Sequence, residues 1–184
     1  MASPPQDVQA ALADAQRLYD QTEIEMALDR MAADVARDLA ASNPVVLCVM
    51  NGGVVMTGYL LMRLHFLLEV DYLHVTRYRG RVHGGELCWH REPELSLRGR
   101  TVLVIDDILD EGHTLAEILA YCRKRGANRV AAAVLVNKRH DRKQPGARAD
   151  YIGLHVDDRY VFGFGMDYKG YLRNVPAICA VKVS

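Results

Sequence analysis

The order of apolar and polar positions along the chain predicts alternating helices and strands. Residues 6–19 are rich in alanine and predict a helix, and residues 22–25 have the form of a capping box that begins a second helix. Apolar residues then recur at spacings of three and four, which gives the second helix one apolar face: Ile24, Leu28, Met31, Val35 and Leu39. Pro44 ends this pattern.

Short, continuous apolar runs predict strands that are buried on both faces. These runs are residues 45–50, 101–105 and 130–136, and residues 70–76 predict one further strand. Helices are predicted between them, over residues 54–67 after the turn at Asn51, Gly52 and Gly53, and over residues 113–125 before Gly126. Strand, turn and helix in this order are typical of a parallel sheet with helices on its faces, an α/β fold. Ligands of such sheets lie at the carboxyl ends of the strands.

Residues 77–94 do not fit this alternation. They are polar, show no period and contain Gly80, Gly84 and Gly85. A loop of this length inside a compact domain is commonly a lid or a binding loop, or it is disordered. The chain shows no repeat, no low-complexity segment and no Gly/Ser-rich linker, so we expect a single domain over residues 1–184.

Composition and charge exclude several classes of protein. Apolar residues make up 50% of the chain and charged residues 25%, as in an ordinary soluble globular protein, which excludes a disordered, collagen-like or coiled-coil chain. The 23 Lys and Arg residues balance 23 Asp and Glu residues. A net charge of zero argues against nucleic acid as the main partner.

The cysteines and the absence of long apolar segments indicate a protein of the cytoplasm. The four cysteines lie far apart without a Cys-x-x-Cys pair, which favours reduced thiols over disulfides or a zinc site. The seven histidines form no His-x-x-x-His or Cys/His cluster, which also argues against zinc. We expect no export signal and no membrane span, because residues 1–16 lack a basic stretch followed by an apolar core and no run approaches about 18 uncharged apolar residues.

The densest chemical feature is an acidic turn between a predicted strand and a predicted helix. Four carboxylates lie within six positions: Asp106, Asp107, Asp110 and Glu111. The backbone N–H groups of residues 111–114, opened by Gly112, would form an anion cradle at the start of the helix. The acids can accept hydrogen bonds from vicinal ribose hydroxyls, and Mg²⁺ would offset their charge. The pattern predicts a sugar-phosphate site, while a simple helix cap at Asp110 or Glu111 remains an alternative.

Residues 102–115 resemble the phosphoribosyl-pyrophosphate (PRPP) signature of the type I phosphoribosyltransferases. Further segments match that family in its order over residues 45–180, and they narrow the resemblance to the hypoxanthine-guanine phosphoribosyltransferases. Residues 47–53 resemble the pyrophosphate loop, 78–80 the mobile lid, 134–138 the end of the purine-contact strand, and 158–163 with 167–174 the base-binding hood. The resemblance implies a parallel twisted sheet flanked by helices, with a small hood subdomain from roughly residues 150–184. Whether the N-terminal segment joins the hood stays open.

The resemblance also implies a division of roles for PRPP. Asp106 and Asp107 would hold the ribose hydroxyls, and Mg²⁺ would lie near these two acids and Asp167. The 5′-phosphate would lie against Glu111, Gly112, His113 and Thr114, and the pyrophosphate against Asn51, Gly52 and Arg173. A structural ion pair between Asp167 and Arg173 is the alternative for those two residues.

The base and the lid receive the remaining roles. By resemblance, Asp110 would act as acid or base at purine N7, Lys138 would donate to O6, Tyr160 would stack on the ring, the Val161 backbone would contact its edge, and Asp167 would face the C2 side. Tyr78 and Arg79 would belong to the lid. The alternatives are a surface lysine in the basic run 138–143, a tyrosine of the core, and a solvent loop without a function.

Two positions depart from the family pattern. Asn51 stands where the family often has Lys, so one charge on the pyrophosphate is missing, and the family can have a non-proline cis peptide in this turn. Glu111 stands where Thr or Ser usually follows the N7 acid, and its carboxylate would repel a phosphate unless it points away.

The resemblance implies transfer of a 5-phosphoribosyl group from PRPP to N9 of hypoxanthine or guanine, with Mg²⁺, by a homo-oligomer that is a dimer or a tetramer. Two alternatives stay open. The same fold can act on xanthine or a pyrimidine, or it can serve as an RNA-binding regulator, for which the basic run 138–143 is the support.

Overall fold

A computed structural model describes residues 5–77 and 87–182. In chain order, its helices and strands are α1 Gln6–Ala13, β1 Gln16–Tyr19, α2 Gln21–Leu39, β2 Val45–Met50, α3 Gly53–Leu61, β3 Glu69–Arg77, β4 Leu87–Arg91, β5 Thr101–Leu109, α4 His113–Lys124, β6 Arg129–Arg139, β7 Tyr151–Asp157, β8 Val161–Phe162 and β9 Ile178–Ala180. In this part of the chain, none of the helices combines the length and the apolar character that crossing a membrane requires.

A six-stranded sheet forms the centre of the molecule, in the order β4-β3-β2-β5-β6-β7. All neighbouring pairs are parallel except β3 and β4, which are antiparallel. The predicted α/β fold is therefore confirmed. The interpretation of residues 77–94 as one loop is wrong at its end, because residues 87–91 form the edge strand β4. The Trp89 ring of this strand packs against the Tyr121 ring of α4, with the ring centroids 4.4 Å apart.

The N-terminal segment also differs from the prediction of one helix over residues 6–19. Helix α1 ends at Ala13, and β1 pairs antiparallel with β9 in a three-stranded sheet of order β1-β9-β8. Gln16 lies opposite Ala180 in that pairing. The strand forms because a partner more than 160 residues away along the chain overrides the local helix preference.

The second helix begins two residues earlier than predicted. Its capping box is formed by Asp20 and Glu23 rather than by Thr22 and Glu25. The Glu23 N–H donates to the Asp20 side chain, and the Asp20 N–H donates to the Glu23 carboxylate, each at 2.9 Å. Two backbone N–H groups that the helix itself cannot satisfy therefore have acceptors.

Two other predicted boundaries move. Helix α3 ends at Leu61 rather than at residue 67. Strands β5 and β6 both run past their apolar cores, to Leu109 and Arg139, and their pairing continues to Leu109 opposite Asn137. Asp106 and Asp107 therefore lie within β5 and do not follow it.

The core lies on both faces of the large sheet. Alternate residues of each strand contribute to opposite faces. Val46, Leu103 and Leu135 pack with α2 and α3 on one face, and Val45, Val104 and Val134 pack with α4 on the other. Burial from both sides explains the continuous apolar runs in the sequence, and it fixes the polar ends of the strands at one edge.

Asp71 ties the segment after β4 to β3, and its side chain is 8% exposed. Its carboxylate accepts from the backbone N–H groups of Glu94 at 2.7 Å and Leu95 at 3.0 Å, and from Arg91 at 3.2 Å. Burial acts to raise the pKa of Asp71, but these hydrogen bonds outweigh it and hold the pKa below its ordinary value.

We expect Asp71→Asn to lower the free energy of unfolding by about 1–3 kcal/mol at neutral pH, because an amide NH₂ cannot accept from the backbone donors. A depressed carboxyl pKa contributes stability above the unfolded value of about 3.9, and the contribution is lost as the pH falls through the folded pKa. The difference between variant and wild type, measured by urea unfolding, should therefore shrink in acid. Asp34→Asn, on the exposed face of α2, is the control, with a change within about 0.5 kcal/mol. Equal losses in the two variants would contradict this role.

Candidate active site

A cleft of about 480 Å³ opens at the carboxyl ends of β2, β3 and β5. The turn after β2, the end of β3 and the segment from β5 into α4 supply most of its walls, and the chain after β8 closes one side. The cleft brings together most of the predicted site residues: Asn51, Gly52, Asp106, Asp107, Asp110, Glu111, Gly112, His113, Thr114, Asp167 and Arg173.

Asp106 and Asp107 are half-buried at the polar end of β5. Burial, together with the neighbouring Asp107 carboxylate, raises the pKa of Asp106 well above its ordinary value. Burial also raises the pKa of Asp107, although a hydrogen bond with Asp106 and the charge of Arg173 oppose that shift. The pair therefore needs hydroxyl donors or a cation to stay ionised.

Asp110 lies between two donors from the end of β6. Lys138 Nζ donates to Asp110 Oδ2 at 2.7 Å, and His140 Nε2 lies 2.8 Å from Asp110 Oδ1. Burial acts to raise the pKa of Asp110, but the hydrogen bonds from Lys138 and His140 outweigh it and place the pKa below its ordinary value. Asp110 is therefore an ionised carboxylate at neutral pH. Its environment is opposite to that of the acid pair three residues earlier.

The N-terminus of α4 faces the same cleft. Its N-cap is Gly112, in the left-handed conformation with φ 80°, and no described side chain caps it. The interpretation of Asp110 or Glu111 as a helix cap is therefore wrong. A side chain at Gly112 would overlap Ala147 as well as strain the backbone, so glycine is needed on both grounds. Backbone N–H groups of the first helical turn lack partners within the helix, which suits them to bind an anion.

The Glu111 side chain lies between two groups that can offset its charge. Its carboxylate is 3.8 Å from Arg142 Nε and 3.5 Å from His113 Nε2, which forms an ion pair only when protonated. The Arg142 guanidinium weakens the repulsion that a phosphate at this turn would experience from Glu111.

Arg173 and Asp167 form the ion pair that the sequence left as an alternative. Arg173 Nη2 donates to Asp167 Oδ1 at 2.8 Å, and Arg173 Nη1 donates to the Gly165 carbonyl at 2.7 Å. The Gly170 N–H donates to the other Asp167 oxygen at 2.7 Å. The pair nevertheless lines the cleft, so a structural and a binding role are compatible.

The remaining candidates for the base lie beside the cleft rather than on its walls. Lys138 is 9% exposed and reaches the cleft through Asp110, so the interpretation of a surface lysine is wrong. Tyr160 is 54% exposed, with its ring edge-on to Tyr168, so the interpretation of a core tyrosine is wrong. Val161 is buried in β8. Tyr78 and Arg79, predicted for the lid, lie outside the described residues.

The turn after β2 contains the departure at Asn51. The Met50–Asn51 peptide bond is cis, and Asn51 is exposed to the cleft. Met50 lies opposite His74 in the pairing of β2 with β3, and His74 and Thr76 line the same cleft.

Four residues in or beside the cleft received no role from the sequence alone: His74, Thr76, His140 and Asp158. Asp158 lies 4.0 Å from Lys138 Nζ and 2.8 Å from Arg142 Nη2. A signal for His140 existed, because alternate residues at a strand end share a face and Lys138 was already a candidate.

Among the described residues, two groups of side chains could attract a metal ion. Asp106, Asp107 and Asp167 line one cleft and offer carboxylate oxygens, which are the ligands that Mg²⁺ prefers. The charge of the ion would favour the ionised forms of Asp106 and Asp107, whose pKa values burial raises. Ligand atoms of Asp110, His140 and Asp158 also lie within 4.8 Å of one another. That second group fits a metal poorly, because Lys138 and Arg142 already supply its positive charge.

Acids on one wall and an open helix N-terminus on the other, at the carboxyl edge of a mostly parallel sheet, define an α/β protein that binds a sugar phosphate. The chain belongs to the phosphoribosyltransferase family, since the profile of the phosphoribosyl transferase domain matches residues 14–169. The resemblance to the hypoxanthine-guanine branch is confirmed by individual relatives.

Three similar proteins illustrate the match. The hypoxanthine-guanine-xanthine phosphoribosyltransferase of Tritrichomonas foetus is 33% identical over 167 residues, 91% of each chain. The hypoxanthine-guanine phosphoribosyltransferase of Bacillus subtilis is 30% identical over 90% of this chain and 92% of its own. Among solved structures, a hypoxanthine phosphoribosyltransferase from Staphylococcus aureus superposes with a TM-score of 0.87 at 26% identity, covering 94% of this chain and 95% of that one.

The close approach of Gly52 to Asp107 is testable. Gly52 has an ordinary helical φ of −62°, but a Cβ there would overlap the Asp107 carboxylate. We expect Gly52→Ala to lower the free energy of unfolding by about 1–3 kcal/mol, because the carboxylate must move. Gly58→Ala, in α3 with open space around the site, should instead raise it by about 0.5–1 kcal/mol. Urea unfolding measures both, and a gain in stability at Gly52 would refute the close approach.

Proposed function

We propose that the protein transfers the 5-phosphoribosyl group of PRPP to N9 of hypoxanthine or guanine, forming IMP or GMP and pyrophosphate. The observation that carries this proposal is the Asp110 carboxylate, held ionised by Lys138 and His140 beside a cleft that combines an acid pair with an open helix N-terminus. The relatives named above support the choice of a 6-oxopurine as the acceptor.

The cleft offers a separate set of groups to each part of PRPP. Asp106 and Asp107 would accept hydrogen bonds from the ribose hydroxyls. The 5′-phosphate would bind the backbone N–H groups at the start of α4, lined by Glu111, Gly112, His113 and Thr114. The pyrophosphate would face Asn51, Gly52 and Arg173, whose guanidinium suits phosphate oxygens. Mg²⁺, held by Asp106, Asp107 and Asp167, would neutralise the charge that develops on the leaving group.

The base would lie between Asp110 and the chain after β7. The N9 lone pair forms the bond to C1′ while the bond from C1′ to the pyrophosphate oxygen breaks, and its electrons leave with pyrophosphate. The N7 proton moves to the Asp110 carboxylate, which the hydrogen bond from Lys138 holds in place. Lys138 would donate to O6, Tyr160 would stack on the ring, the Val161 backbone would contact the ring edge, and Asp167 would face C2. Catalysis rests on positioning and charge neutralisation.

The three-stranded sheet of β1, β9 and β8 would form the hood over the base, within a single domain. On this proposal β1 is the contribution of the N-terminal segment to the hood. Tyr78 and Arg79 would belong to a lid that excludes water during transfer.

We also propose that the protein is a cytoplasmic homo-oligomer, a dimer or a tetramer. Three apolar side chains near the end of α3 and the start of β3 are exposed: Met62 by 79%, Leu67 by 84% and Val70 by 50%. Exposed apolar groups this close in the chain are typical of a surface that another subunit covers.

The basic run 138–143 gives little support to an RNA-binding function. Lys138 bonds to Asp110, Arg142 bonds to Asp158, and Lys143 donates to the carbonyls of Leu109 and Asp110. Because these three cationic side chains bond to groups of the protein itself, they are poorly placed to bind the phosphates of RNA.

The test is release of pyrophosphate from PRPP and Mg²⁺ with hypoxanthine, guanine, xanthine, adenine or uracil in separate reactions. We expect turnover with hypoxanthine or guanine, and its loss when a chelator removes Mg²⁺. Asp110→Asn should lower kcat about 10²–10⁴-fold, because the amide cannot accept the N7 proton.

Asp141→Asn, the same substitution at an exposed position nearby, is the matched control and should keep full activity. Turnover with xanthine or uracil alone would overturn the choice of base. No turnover with any of the five bases, by protein that unfolds cooperatively in urea, would overturn the proposed reaction.

A further inference from the structure

His140 is buried beside the proposed N7 acid and belongs to none of the motifs that resemble the family. It is the first residue after β6, and its side chain is 4% exposed. Its Nε2 lies 2.8 Å from Asp110 Oδ1. A buried imidazole in direct contact with the reacting carboxylate is a candidate for a role in the reaction.

The hydrogen bonds of His140 assign its proton. The Arg142 backbone N–H donates to His140 Nδ1 at 3.1 Å, so Nδ1 must be an acceptor without a proton. In the neutral ring the proton is then on Nε2, and Nε2–H donates to Asp110 Oδ1. The Arg142 backbone N–H thus fixes the His140 tautomer, and this tautomer donates to Asp110.

We propose that His140 is a positioning residue for the transfer, fixing the Asp110 carboxylate in the orientation that accepts the N7 proton. This inference rests on the proposed function. Lys138, the other donor to Asp110, would be shared with the purine O6 once a base is bound, whereas His140 Nε2 is assigned no contact with the base and keeps its bond to Asp110. The bond from His140 therefore keeps the carboxylate in place when the substrate competes for Lys138.

The backbone carbonyls of residues 109–111 accept hydrogen bonds from residues other than His140. Lys143 Nζ donates to the Leu109 carbonyl at 3.3 Å and to the Asp110 carbonyl at 3.0 Å, and the Gln144 N–H donates to the Glu111 carbonyl at 2.7 Å. Removal of the imidazole should thus free the Asp110 side chain and leave the phosphate turn in place. This separation predicts an effect on kcat rather than on PRPP binding.

The first test compares His140→Leu with His140→Gln. Leucine fills a similar volume without a donor, while the glutamine amide can donate to Asp110 from about the position of Nε2. We expect His140→Leu to lower kcat about 10–100-fold with an unchanged KM for PRPP, because a misplaced catalytic group costs rate and leaves the phosphate turn intact. His140→Gln should restore most of kcat. Arg139→Leu, an exposed neighbour, is the control that should retain full activity.

A double-mutant cycle separates positioning from a purely structural role. In the Asp110→Asn background, where the proton acceptor is already lost, His140→Leu should cause no further loss of kcat. Equal losses in both backgrounds would overturn the proposal, as would full activity of His140→Leu in an otherwise active protein. Absence of turnover by the wild type with every base would instead overturn the proposed function, and this inference with it.

A measurement on proteins that retain His140 covers the case in which His140→Leu does not fold. Two-bond ¹⁵N–¹H correlation spectra should show His140 as the Nε2–H tautomer at neutral pH, with a changed Nε2 shift in Asp110→Asn. The Nδ1–H tautomer, or a shift that ignores Asp110, would overturn the proposal.

Discussion

The candidate site depends on the parallel pairing of β5 with β6 beyond their apolar cores. The pairing continues to Leu109 opposite Asn137, so two polar strand ends lie side by side at one level of the sheet. Asp110 directly follows β5, and Lys138 and His140 lie at the end of the neighbouring strand β6. Both residues of β6's end are therefore within hydrogen-bond distance of the Asp110 carboxylate. Burying the Lys138 ammonium alone would cost several kcal/mol, and the Asp110 carboxylate supplies its counter-charge. An acid and its two donors are thus positioned by backbone hydrogen bonds of the sheet.

The same strand end creates two opposite electrostatic environments within four residues. Asp106 and Asp107 are half-buried, and burial raises the pKa of both, with the charge of Asp107 adding to the shift of Asp106. Asp110 faces two donors, which lower the pKa of its carboxyl group. Carboxyl groups whose environments move their pKa values apart commonly divide roles in catalysis. The division here fits an acid pair that needs hydroxyls or Mg²⁺ and a carboxylate that is ready to accept a proton.

Local sequence patterns predicted the buried strands, whereas strands that depend on pairing with a distant segment were missed. Continuous apolar runs predicted β2, β5 and β6, because strands buried on both faces need such runs. The parallel strand β7, only some of whose residues are buried, lies within residues 150–184, and their assignment to the hood is wrong for that strand. Strand β1 was missed because its partner β9 is remote in the chain, and β4 because an edge strand needs no apolar run.

The residues of the cleft also differ in whether a local sequence pattern could identify them. The four acids within residues 106–111 were found because they lie within six positions of one another, whereas His140 was missed because its partner Asp110 is 30 positions away. The binding roles carried by resemblance stay predictions. The most direct test is a crystal structure with IMP bound. The account predicts N7 of the base within hydrogen-bond distance of Asp110, O6 beside Lys138, and the ribose hydroxyls at Asp106 and Asp107. A nucleotide whose base lies away from Asp110 would contradict the account.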